Sequence, residues 1–232
     1  MRLLDLFCGR WGWSRAFAAR GWRCLGVDLT QPPEIPDRCE FWKADVLTLT
    51  CKKNWFSLRR QDEVGHVELV RSISVSCEDF DFIVASPPCE EFSVHGMKHF
   101  HPNPKYPENG IRLFNHTRQL CEASGLPYVI ENVRAAQQFV GKATCNAGAF
   151  HLWHNLGNFK PSFGYPFKLP ARVVKGATQM RRDGRYKRAG GVDEQMYRAK
   201  DIRAANLATI PLELASSVAD YAERLLEQRK RA

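Results

Sequence analysis

A chain of 232 residues that is 44% hydrophobic can bury one full core and is short for two complete domains. Its 34 Lys and Arg against 25 Asp and Glu leave a formal charge of +9, which favours a polyanionic partner gripped through its phosphates. No apolar run approaches the roughly 18 residues of a membrane span, the first residues lack a signal-like apolar core, and the eight cysteines form neither a Cys-x-x-Cys pair nor a small-domain framework. A soluble, cytoplasmic protein with reduced thiols and no metal site is expected.

Arg2 to Phe7 reads as a short strand interrupted by Asp5, followed by the turn Cys8-Gly9-Arg10-Trp11-Gly12-Trp13-Ser14 and a helix around Arg15 to Ala19. A second strand, Trp22 to Leu29, carries Asp28 at its end, nineteen residues after Gly9, a spacing that suits a carboxylate for ribose hydroxyls. After a proline-rich loop from Gln31 to Asp37, Phe41 to Val46 is a third strand with Asp45 at its tip. The stretch Cys51 to Glu78 is polar and weakly patterned and reads as a helix plus a surface insertion.

The apolar run Phe80 to Ala85 is a fourth, buried parallel strand, and it stops at Pro87-Pro88, neither of which can donate a ladder hydrogen bond. An isolated cysteine is more often structural than reactive. Cys89, however, follows the two prolines directly, at the carboxyl end of a strand, where open α/β sheets bind their ligands. Val94 to Asn109 is a His-, Pro- and Asn-rich loop of the kind that closes over a site. Helical spacing from Arg112 to Ala123 leads into a fifth strand, Leu126 to Val133, with Glu131-Asn132-Val133 at its end, and Ala149 to Leu152 is a further short strand. From about Asn155 to Arg203 lysines, arginines, glycines and aromatics dominate. Ile210, Leu214, Val218, Tyr221 and Leu225 then recur at helical spacing, with Pro211 suited to a first turn. The fold class expected is α/β, with 1–154 plus 204–232 as the body and 155–203 as a small basic segment.

The joint pattern resembles the cytosine-5 DNA methyltransferase family. Asp5-Leu6-Phe7-Cys8-Gly9 with Gly12 is similar to its first motif, Pro87-Pro88-Cys89-x-x-Phe92-Ser93 to its catalytic motif, and Glu131-Asn132-Val133 to its acid motif, all in the family's order between residues 2 and about 135. The resemblance implies a Rossmann-like S-adenosylmethionine-dependent methyltransferase sheet with helices on both faces. It implies Cys89 as nucleophile at cytosine C6 and Glu131 as the acid facing N3, with a methyl group passing from S-adenosyl-L-methionine to C5 of a base flipped from duplex DNA. By position, Phe7 would lie against the adenine, the Gly9 and Gly12 backbone would approach the methionine part, Asp28 would bind the ribose and Asp45 the adenine amino group. Arg10, Trp11 and Pro87 complete the implied cofactor contacts. For the two acids a cap or turn role is the competing reading.

Three departures qualify the resemblance. Trp11-Gly12, preceded by Arg10, stands where the family has paired glycines, so that the indole would narrow the pocket, displace the loop or form a new wall. Arg10 would also suit a cofactor derivative carrying an extra anionic group. Second, Gly148 to His154 occupies the place of an arginine that normally supports the acid, with His151 as a possible substitute or an ordinary packed residue. Third, only about fifty residues are available for target recognition, as in small methyltransferases of phages and mobile elements. Arg181, Arg182, Arg185, Lys187 and Arg188 are the expected phosphate contacts, joined by Ser93 and Arg112, with Tyr186 or Tyr197 to stack on bases. The expected partner is double-stranded DNA, bound by a monomer. Transfer RNA as substrate and a non-catalytic DNA-binding role are the alternatives.

Overall fold

A computed structural model describes residues 1–52, 55–58, 60–61, 67–68, 75–96, 102–162, 179–180, 186–187 and 210–231. The chain divides into two units, Met1–Phe163 with Ile210–Ala232, and Gly164–Thr209. In chain order the first unit contains β1 (Arg2–Leu6), α1 (Ser14–Ala18), β2 (Arg23–Asp28), β3 (Cys39–Lys43), β4 (Leu49–Lys52), β5 (Trp55–Leu58), β6 (Arg60–Gln61), β7 (Val67–Glu68), β8 (Val75–Ser76) and β9 (Phe82–Ala85). It continues with α2 (Glu90–Gly96), α3 (Glu108–Ser124), β10 (Tyr128–Val133), α4 (Gln137–Val140), β11 (Cys145–Ala147) and β12 (Phe150–His154). In the second unit β13 (Gln179–Met180) pairs antiparallel with β14 (Tyr186–Lys187). The first unit closes with α5 (Leu212–Arg231).

Seven strands form the main sheet in the order β11-β12-β10-β9-β1-β2-β3. The five from β10 to β3 run parallel, while β12 pairs antiparallel with β10 and with β11. All four residues of β9 are buried, as a central parallel strand covered on both faces requires. Alternate residues feed two cores. Leu4, Leu6, Leu25, Ile83 and Ile130 pack with Phe92, Phe114 and Leu120 on the side of α2 and α3. Leu3, Cys24, Phe82, Val84 and Val129 pack with Trp13, Phe17, Leu214 and Val218 on the side of α1 and α5. The result is a mixed α/β sheet with helices on both faces, compatible with a Rossmann-like fold.

The last helix packs back on the sheet as its spacing predicts. Tyr221 donates its hydroxyl proton to the Leu156 carbonyl at 2.8 Å, and the Trp22 indole N–H donates to Glu223 at 3.0 Å. Residues 155–162 belong to this first unit, so it reaches beyond the expected boundary at 154. The helix expected within 51–78 is absent among the described residues, which instead form β4, β5, β6, β7, β8 and a 3-10 turn at Cys77–Asp79. Thr50, Trp55, Phe56, Val67 and Val75 are β-branched or aromatic, and such residues gain more on a pleated surface than in a helix. The loop after Cys89 is also shorter than expected, because α2 runs to Gly96 and α3 begins at Glu108.

The sheet reverses its winding between β1 and β9: β2 and β3 extend to one side, β10 to the other. At such a switch point the connections leave in opposite directions and open a crevice at the carboxyl ends of the strands. The turn after β1 and the segment after β9 both begin there.

Candidate active site

The chain after β1 makes its turn through left-handed backbone at three residues: Phe7 at φ 62°, Gly9 at 46° and Trp11 at 63°. Side chains in this region cost about 1–3 kcal/mol each, so surrounding contacts must hold them. The N–H groups of Phe7 and Cys8 both donate to the Val27 carbonyl, at 2.8 and 3.2 Å, and Trp11 N–H donates to the Cys8 carbonyl at 2.7 Å. Gly9 N–H donates to Asp28 Oδ2 at 3.0 Å. The glycine turn and the end of β2 are thereby one hydrogen-bonded unit.

Trp11 keeps the backbone a glycine would adopt and sends its indole away from the surface of the turn. The side chain is 1% exposed. Its N–H donates to the Glu34 carbonyl at 2.9 Å, its ring meets Phe41 edge-on at 6.2 Å, and it lies against Gly26, where a Cβ would come within 2.3 Å of the indole. The indole therefore walls no surface pocket: it fills the space left by the missing side chain of Gly26. Gly12 also has a packing role, because a Cβ there would lie 3.0 Å from the Ile210 backbone nitrogen. Arg10 and Gly9 are exposed, and Phe7 is partly buried.

The two acids at the ends of β2 and β3 already serve local turns. Asp28 Oδ1 accepts from Thr30 N–H at 3.1 Å, in addition to the bond from Gly9. Asp45 Oδ1 accepts from Leu47 N–H at 2.9 Å and caps the 3-10 turn Val46–Thr48. Each carboxylate retains further acceptor capacity, since an ionised carboxylate offers about four lone-pair sites. Asp45 also borders a cleft of about 530 Å³ lined by Thr48, Arg112, His116 and Gln119. The expected nucleic-acid residue Arg112 is thus on α3 beside Asp45. Neither Cys89 nor Glu131 lines that cleft.

Beneath the turn lies Asp5, 1% exposed. One oxygen accepts from Ser14 Oγ at 2.5 Å, and Oδ1 is buried without a partner among the described residues. Burial pushes its carboxyl up to about 7 against the lowering effect of Ser14. An orphaned buried carboxyl oxygen, an exposed glycine turn and two acceptor carboxylates at neighbouring strand ends fit a nucleoside-type group bearing an ammonium, as the resemblance implies.

Beyond β9, Pro87 is buried and Cys89 is partly buried at the start of α2. The Ser93 N–H donates to the Cys89 carbonyl at 2.8 Å, which turns the chain at once into the helix. Burial pushes the Cys89 thiol above its usual range and the nearby Glu131 charge pushes it further, while a hydrogen bond with the Ser93 side chain acts the other way. Ser93 was expected at the nucleic acid; here it contacts Cys89. Glu131 sits in β10, and burial pushes its carboxyl up to about 7, with a hydrogen bond from Ser86 opposing that rise. Asn132 is fully buried, and its side-chain amide donates to the Pro87 carbonyl at 2.9 Å. Pro87, expected among the cofactor contacts, is thus tied to the acid strand. The structure brings Cys89 within electrostatic reach of Glu131, because β9 and β10 pair although the two residues lie some forty positions apart.

Three contributors were not singled out from the sequence: Asn132, Ser86 and Trp13, whose indole N–H donates to Ser86 Oγ at 2.9 Å. Asn132 stands in the acid motif, Trp13 in the glycine turn and Ser86 just before Pro87, yet the partners of Asn132 and Trp13 lie in the segment after β9. His151 is 9% exposed, and its Nδ1 hydrogen-bonds the Ala149 carbonyl at 3.1 Å. It pairs with Asn132 in the sheet register. Lys187 lies in β14; Arg181, Arg182, Arg185, Arg188 and Tyr197 lie outside the described residues. No helix among the described residues is long and apolar enough to cross a membrane. No protein-family model matches the chain, and no curated protein matches it.

Proposed function

We propose that the protein transfers a methyl group from S-adenosylmethionine to C5 of cytosine in DNA, through a covalent adduct of Cys89 at C6. The observation that carries the reading is the convergence of a thiol and a carboxyl with a raised proton affinity beside the switch point of the sheet.

Cytosine C5 is too weak a nucleophile to take a methyl group unaided. Attack of the Cys89 thiolate on C6 breaks the aromatic ring system and pushes electron density toward C5 and N3. Glu131, protonated up to about pH 7, supplies a proton at N3 and keeps that density from collapsing back. The bound cofactor supplies an electrophilic methyl group. Loss of the C5 proton to water, with the N3 proton returning to Glu131, then expels the Cys89 sulfur as thiolate and restores the aromatic ring.

The Asp28 and Asp45 carboxylates would receive ribose hydroxyls and the adenine amino group, and the Gly9 turn with Asp5 would receive the methionine end. With about 4.8 Å between neighbouring strands, the ends of β2 and β9, two strands apart, stand about 10 Å from each other, a span suited to a ligand held at one end and reacting at the other. A duplex base would have to leave its stack to present both faces to this crevice, and the charge of +9 supports a polyanionic substrate.

Incubation with a methyl-labelled cofactor and varied DNA, followed by nucleoside mass spectrometry, should yield 5-methylcytosine. A chain that binds the cofactor and modifies no cytosine in DNA would overturn the reading, and a parallel RNA arm would reveal the alternative substrate.

A further inference from the structure

Trp13 is 2% exposed at the amino-terminal edge of α1 and belongs to the same turn as Gly9 and Gly12. Its indole N–H donates to Ser86 Oγ at 2.9 Å. Ser86 follows the last residue of β9, one step beyond the Ala85–Ile130 pair of the parallel register and so beside Glu131, whose charged carboxyl its hydroxyl favours. The direction of both bonds follows from chemistry. An indole nitrogen can only donate, so Ser86 Oγ accepts from Trp13, and the single hydroxyl proton of Ser86 remains for Glu131. The Ser86 bond lowers the proton affinity of Glu131, as a donor to a carboxylate must.

Among the described residues little else orients this acid. Leu152 of β12 stands opposite Glu131 in the antiparallel register and offers no polar side-chain atom. The Cys89 thiol, just before α2, is a titratable group that senses the charge of Glu131. On the α1 side the nearby group is the uncharged indole of Trp13. In the segment where an arginine was expected to steady the acid stands Gly148 to His154, which contains none.

We propose that Trp13 and Ser86 are positioning residues for Glu131: the indole N–H aims the Ser86 hydroxyl, which occupies one carboxyl oxygen and leaves the other to carry the proton toward the base. The inference rests on Glu131 acting as the acid of the proposed reaction. It also links the two halves of the site, because the group that steadies the acid grows from the turn assigned to the cofactor.

The test compares Ser86→Ala, Ser86→Thr and Trp13→Phe in the full chain, reading the Glu131 titration by carboxyl carbon NMR with Glu131→Gln as the assignment control. Ser86→Ala should raise the midpoint by about one pH unit, roughly tenfold in proton affinity. Ser86→Thr, which keeps the hydroxyl, should restore it, and Trp13→Phe should give a smaller rise. In the transfer assay Ser86→Ala should lower kcat with little change in KM for DNA and move the acid limb of the kcat profile the same way. A folded Ser86→Ala chain with an unmoved midpoint, or a Ser86→Thr chain shifted as far as Ser86→Ala, would overturn the relay. If Trp13→Phe fails to fold, the two serine variants alone decide. Shifted midpoints in chains that modify no cytosine would sink the methyltransferase reading while leaving the relay standing.

Discussion

The side-chain amide of Asn132 donates to the carbonyl oxygen of Pro87 at 2.9 Å, and the Asn132 Oδ1 accepts from the Val133 N–H at the same distance. One fully buried side chain thus ties the strand bearing Glu131 to the segment presenting Cys89. Asn132→Ala removes both bonds, one of them to the buried Pro87, which should cost about 1–3 kcal/mol in urea unfolding. It should also reduce cytosine methylation at saturating cofactor. A variant as stable and active as the parent would remove the bond from the account.

Cys89→Ser should retain cofactor binding by calorimetry and lose turnover by about three orders of magnitude or more, since a serine hydroxyl is far harder to ionise than a thiol. DNA carrying 5-fluorocytosine should trap the parent chain as a stable covalent complex, because the proton whose loss frees the enzyme is missing. Denaturing electrophoresis reads the trap, and a parent chain that never forms it would speak against an adduct at C6.

The pH profile of kcat follows from two groups titrating in the opposite order to their working states. The proposed reaction would use Cys89 as thiolate and Glu131 as acid, while burial pushes Glu131 up to about 7 and raises the Cys89 thiol above its usual range. Between those two values the pair holds one proton, and the small fraction with that proton on Glu131 is a constant share of the total. The rate should therefore rise up to about pH 7, stay level, and fall only once Cys89 ionises in bulk. Glu131→Gln should remove the break near pH 7, so that the rate keeps climbing across the former plateau; a plateau that persists in this variant would assign the break to another group.

Stability should fall as pH rises from weakly acidic to neutral. Asp5 is raised from 3.8 to about 7 by burial, so across that window the native chain keeps a proton the unfolded chain has released. The unfolded state then binds fewer protons, stability declines with pH, and the decline ends near pH 7. Glu131, raised from 4.5 to about 7, adds the same sign. Melting temperatures across this range should drop for the parent and drop less for Asp5→Asn, which cannot ionise and can keep a bond to Ser14. Equal slopes in the two proteins would mean that Asp5 is ionised in the native state.

Gly26→Ala should be strongly destabilising, because the new Cβ would stand 2.3 Å from the Trp11 ring and 2.8 Å from Cys8 Sγ. Overpacking of this kind costs about 1–3 kcal/mol or more. Trp11→Leu alone should also destabilise, by leaving a cavity. The double variant should be more stable than the sum of the two changes predicts, by at least about 0.5 kcal/mol in a double-mutant cycle. Strict additivity would place the indole away from Gly26.

The order of strands and helices was legible in the chain itself, because hydrophobic runs, glycines and prolines act over a few residues: Pro87-Pro88 end β9 wherever that strand lies, and Cys89 follows them. The candidate pair Cys89 and Glu131 was legible through the motifs that carry them, as were Asp28 and Asp45 at their strand ends. The β-strands within 51–78 were not, since short polar strands carry little periodicity and take their preference from pairing. Nor did the chain alone show where Trp11 points. A left-handed backbone and the bare face of Gly26, fifteen residues on, turn its indole into the core, and that pairing exists only once β1 and β2 lie side by side. The same holds for Asn132 on Pro87 and for Trp13 on Ser86: local sequence sets which groups are offered, whereas the long-range sheet order decides which of them meet.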